Sequence, residues 1–71
     1  MNDRRLATDE EKSTALIVAQ NLIKTKGSRM SNTQLKAIHY FIYKLNNGAT
    51  RNRVTFFDCQ KIINTAQTYS K

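Results

Sequence analysis

The sequence predicts an all-α protein, a compact three-helix bundle, on three observations. There is no proline, and there are only two glycines, Gly27 and Gly48, so little interrupts long helices. Three helix-start patterns occur in 71 residues. Between them the apolar residues recur at a spacing of three and four, the helical period.

The first start is Thr8-Asp9-Glu10-Glu11. The threonine hydroxyl can accept from the backbone amide three residues on, and Glu11 can reach back, which is a capping box. Three carboxylates in the first turn also complement the positive end of the helix dipole. This predicts a helix over 9–26 that stops at Gly27. The second start, Ser31-Asn32-Thr33-Gln34, reads as another capping box, with Met30 and Leu35 at staple positions, and predicts a helix over 32–46 ending at Asn46-Asn47-Gly48. The third is Thr55 with Asp58 three residues later, and Val54 and Cys59 form a weaker staple. It predicts a helix over 56–68. The chain reads as a single domain over 1–71, with residues 1–7 a flexible N-terminal arm.

Helical wheels assign the buried faces. In the second helix Leu35, Ile38, Phe41, Ile42 and Leu45 share one arc; in the third, Phe56, Cys59, Ile62, Ile63 and Ala66 do. The first helix has a wider arc that includes Ala15, Leu16, Val18, Ala19, Leu22 and Ile23. Ile17 and Phe57 point away from their stripes. A wide arc with two apolar outliers reads as a protein-binding surface centred on the first helix.

The formal net charge is +7, and it is unevenly distributed. Four of the five acids (Asp3, Asp9, Glu10, Glu11) precede Lys12, and from Lys12 onward ten basic residues accompany one acid, Asp58. Such a chain attracts polyanions at long range, and it disfavours a DNA mimic, which needs negative charge. No apolar run suits a signal peptide or a membrane span, and the single cysteine cannot close an internal disulfide. These features predict a cytoplasmic protein with no membrane contact.

Little supports catalysis. His39 has no acid within a helical turn and borders the polar arc of its helix. Cys59 lies on an apolar stripe, as a small buried hydrophobe does. One cysteine and one histidine cannot close a zinc site, and no Gly-rich phosphate loop is present. The expectation is no enzyme, no metal and no cofactor.

The outer arc of the second helix is more informative. Lys36, His39, Tyr40, Tyr43 and Lys44 lie opposite its core stripe with no acid among them. Lysines suit phosphates, and tyrosine rings suit bases or sugars. Lys24, Lys26 and Arg29 flank the first turn; Arg51 and Arg53 lie in the second. In an antiparallel bundle the helical arc joins these clusters into one basic track, a candidate DNA- or RNA-binding surface.

Val18-Ala19-Gln20-Asn21-Leu22-Ile23-Lys24, then Phe41-Ile42-Tyr43-Lys44-Leu45-Asn46, then Gly48, Thr50, Arg53 and Lys61-Ile62, occur in an order that resembles the AsiA family of T-even phage anti-sigma proteins over about residues 15–64. The resemblance implies an all-helical regulator that binds a host sigma factor or RNA polymerase, chiefly through its first helix, and self-associates through the same face. It assigns Val18 and Leu22 to that interface, beside Ile17 and Phe57. Asn21 departs from the family pattern by replacing an apolar residue, and the chain is more basic and shorter at its C-terminus. Two readings follow. One is a phage-type regulator of transcription machinery that acts through Ile17, Val18, Leu22 and Phe57. The other is a nucleic-acid-binding protein that uses the basic track.

Overall fold

The computed structural model describes residues 4–70. Helix α1 spans Asp9–Lys26, α2 Asn32–Asn46, α3 Gly48–Arg51 and α4 Phe56–Tyr69. The protein is all-α; among the described residues the only extended pairing is an isolated antiparallel bridge between Leu6 and Thr55. The radius of gyration is 11.7 Å, close to the ~11 Å of a fully packed chain of this length.

The caps explain the boundaries. Thr8 Oγ1 accepts from the Glu11 amide at 3.1 Å, and Glu11 Oε1 accepts from the Thr8 amide at 2.8 Å. Thr55 and Asp58 form the same reciprocal box at 3.2 Å in each direction. Ser31 accepts from the Gln34 amide, but Gln34 does not reciprocate. Its side-chain oxygen accepts instead from the Tyr69 hydroxyl and ties the start of α2 to the end of α4. At Gly27 the chain does not enter the left-handed region. It stays right-handed and tightens into a 3₁₀ turn over Gly27–Arg29.

Helix α3 is an addition to the three helices expected. Asn47 Oδ1 accepts from the Ala49 amide, Thr50 Oγ1 donates to the Lys44 carbonyl and Arg51 Nη1 donates to the Leu45 carbonyl. The last carbonyls of α2 thus find donors in the turn that follows.

Helix α1 packs against both α4 and α2. The core consists of Ala15, Ala19 and Leu22 from α1, Ile38 and Leu45 from α2, and Cys59 and Ile62 from α4, closed by Ala7, Met30 and Val54. Met30 and Val54 are the staple residues, and both are buried.

The arm expected over residues 1–7 differs from the structure at Arg5–Ala7; residues 1–3 lie outside the described residues. The Ala7 amide donates to the Val54 carbonyl, and the Phe56 amide donates to the Arg5 carbonyl. Ala7 is buried, and the Arg5 guanidinium lies 4.5 Å from the centre of the Phe56 ring. Arg5 also forms a bidentate pair with Glu11 at 2.8 and 3.0 Å. This segment supplies partners to backbone groups just before α4, and it places the starts of α1 and α4 side by side.

Replacing Leu45, which is 2 % exposed, with alanine is expected to cost about 2–5 kcal/mol. A domain this small holds little more than that, so the variant should be largely unfolded by far-UV circular dichroism. Tyr43→Ala, at a 57 % exposed position, should leave the urea midpoint almost unchanged.

The Arg5 guanidinium, with the Thr8 amide, holds the Glu11 carboxyl down to about 2 from an ordinary 4.5. A carboxylate held low stabilises the folded state fully above its unfolded value and ceases to do so as pH falls through its folded value. Thermal melts should therefore show the wild-type Tm falling more steeply than that of Glu11→Gln between about pH 4.5 and pH 2. Parallel curves would show that the pair contributes nothing to acid stability.

Candidate nucleic-acid interface

The outer face of α2 is built as its spacing predicts. Lys36, His39, Tyr40 and Tyr43 are exposed, and Lys44 is half-buried. The Tyr40 and Tyr43 rings lie 6.5 Å apart at 22°, a stacked arrangement one helical turn long. Lys44 Nζ sits 5.6 Å from the centre of the Tyr40 ring. Asn47 Nδ2 donates to the Tyr43 hydroxyl at 3.3 Å, which fixes that ring from the end of the helix.

Beside this face the structure forms an open groove of about 260 Å³ between α2 and α4. Ala37, Ile38, Phe41 and Ile62 supply its apolar lining. Tyr40 and Lys44 line it from α2, and Lys61 and Thr65 from α4. Asp58 also lines it, but that carboxylate accepts from the Thr55 amide. Lys61 was absent from the expected basic track. Its signal was the four-residue spacing from Phe57: Lys61 Nζ lies 5.8 Å from the Phe57 ring centre, the counterpart of Lys44 on Tyr40. A second groove, of about 310 Å³ between α1 and α4, is lined by Glu10 and Glu11 and does not suit a polyanion.

The loop cations divide. Lys24 and Arg29 are exposed and Lys26 is half-buried at the α1–α2 end, near Lys36. At the other end Arg53 is exposed, but Arg51 is half-buried and bonded to the Leu45 carbonyl, so it braces α2. The Ala7–Val54 pairing brings the acidic first turn of α1 to that same end. The basic track is thus strongest from the first turn to the groove, and weaker at Arg51 and Arg53 than the sequence suggested.

Among the described residues Asp58, held as the cap of α4, is the one acid that lines the groove between α2 and α4. Glu11 pairs with Arg5, and Asp9 lies 3.7 Å from the buried Lys12. Among the described residues no ion pair reaches Lys24, Lys26, Arg29, Lys36, Lys44, Arg53 or Lys61.

The residues expected to bind a protein partner also divide. Ile17 is 66 % exposed and Phe57 50 %. Val18 is half-buried. Leu22 corrects the expectation: it is 4 % exposed and belongs to the core, because its position in the wide arc of α1 faces the other helices. Cys59 is buried, and burial pushes its thiol up, away from the reactive thiolate.

Taken together, these features define a small helical scaffold with one grooved, basic and aromatic face. Comparison of the chain with family models, characterised proteins and solved structures finds no match.

Proposed function

We propose that this protein is a non-catalytic nucleic-acid-binding module that uses the face formed by α2, the first turn and the rim of α4. The observation that carries the reading is the segregation of charge. Lys24, Lys26, Arg29, Lys36, Lys44 and Lys61 lack acidic partners within the described residues and accompany exposed Tyr40 and Tyr43. Cations on phosphates release counterions and provide affinity, while the rings provide contact with bases or sugars.

Binding measured by fluorescence anisotropy should weaken as salt rises. Replacing Lys36, Lys44 and Lys61 together with alanine should reduce the slope of log affinity against log salt by about two to three, near 0.7–0.9 for each phosphate no longer neutralised. Lys36 and Lys61 are exposed and Lys44 is half-buried, so an unchanged far-UV spectrum is expected. A variant with the wild-type slope would place the phosphate-binding cations elsewhere.

A second reading is favoured by Ile17, a large apolar side chain left 66 % exposed on α1. The resemblance to the AsiA family then assigns a phage-type regulator that docks on a host sigma factor or RNA polymerase through Ile17 and Val18, with Leu22 supporting them from the core. Self-association through α1 belongs to the same reading, which places the chain in the cytoplasm of a bacterial host cell. Ile17→Asp should abolish co-elution with purified polymerase holoenzyme or sigma while retaining oligonucleotide binding. Loss of oligonucleotide binding instead would bring α1 into the nucleic-acid surface.

A further inference from the structure

We infer that the groove between α2 and α4 takes an unpaired nucleobase, so that the preferred ligand is a single strand and not a duplex. This rests on the nucleic-acid reading above and names the form of ligand its groove selects. A duplex presents its bases at the bottom of grooves, and a protein reads them with a projecting helix or ribbon. Here the basic face is not a lone projecting ridge. Helix α2 shares it with α4, and a hollow of about 260 Å³ lies between them. The lining of Ala37, Ile38, Phe41 and Ile62 is apolar, which suits the face of a base and offers nothing to a phosphate.

The rim supplies the rest. Tyr40 lines the hollow and is 63 % exposed, and its ring lies 6.5 Å from that of Tyr43 at 22°, so two near-parallel exposed rings lead into it. Lys44 and Lys61 stand on opposite walls, and each lies over an aromatic ring, Tyr40 on one side and Phe57 on the other. Without ligand, the ring faces attract the two ammonium groups. A phosphate is the stronger partner for an ammonium, so an arriving strand draws the lysines off the rings and frees them to stack on bases. Gln34 Oε1 is taken by Tyr69 and the Thr65 hydroxyl donates to the Lys61 carbonyl, which leaves the Gln34 amide N–H donors and the Thr65 oxygen as an acceptor for the edge of a base.

The absence of tryptophan makes the test direct, because intrinsic fluorescence reports the tyrosines alone. The probes are an oligothymidylate of about twelve nucleotides, a blunt duplex of the same length and inorganic polyphosphate, all at low salt. The expected result is that the single strand binds more tightly than the duplex and quenches tyrosine fluorescence, while polyphosphate does not quench. Tyr40→Leu should weaken single-strand binding by about tenfold with an unchanged melting temperature, and Tyr40→Phe should restore it. Equal or tighter duplex binding, or binding with no quench, overturns the inference and leaves the nucleic-acid reading standing. Failure to bind either oligonucleotide overturns both.

Discussion

Ala15 and Ala19 are both 0 % exposed, and they lie on α1, the helix that packs against α2 and α4 alike. Interhelix distance depends on the side chains at the contact, and methyl groups allow a close approach. Larger residues at these positions would push both neighbours outward. With alanines, α1 acts as a shared wall, and the other two helices rest on it more than on each other. The groove between α2 and α4 follows from that arrangement. It is bounded by helices whose positions are set mainly by a third.

The same wall organises the charge. Because α1 and α4 begin side by side, joined through Arg5–Ala7 and Val54–Phe56, the acidic first turn of α1 is held at one end of the molecule. There Glu11 pairs with Arg5 and caps α1, and on α4 Asp58 caps in the same way. Each of these carboxylates has a structural partner. The lysines of α2 and the first turn have none among the described residues, so their field is directed at solvent and at whatever anion arrives.

The helix starts were legible because each was written as a local side-chain-to-backbone cap. Thr8 with Glu11, Ser31 with Gln34 and Thr55 with Asp58 act within three residues, and α1 and α2 occupy the expected spans. What was missed depends on contacts distant in sequence or on a weak local signal. The docking of Arg5–Ala7 needs the strip before α4, nearly fifty residues away by number. The turn α3 rests on Asn47 and Thr50, residue types that equally suit an irregular loop. Leu22 was assigned to a partner surface by the family resemblance, with which the breadth of α1's apolar arc agreed; a helix with two neighbours needs such an arc for its core alone. Of the candidate site, the arc of α2 was visible as periodicity. Its continuation to Lys61 was not, because no local rule places α4 beside α2.

The division between core and rim sets how the site relates to stability. Ile38 and Ile62 are 3 % and 6 % exposed and belong both to the core and to the lining of the groove. Tyr40 and Lys61 on the rim are exposed and contribute little burial, and Lys44 adds only its stem. The groove's shape is therefore held by the same side chains that hold the fold, while its chemistry lies in side chains the fold scarcely needs. A small domain with little stability to spare can tolerate change at such a rim, because the effect of a substitution there falls on the ligand and not on the packing.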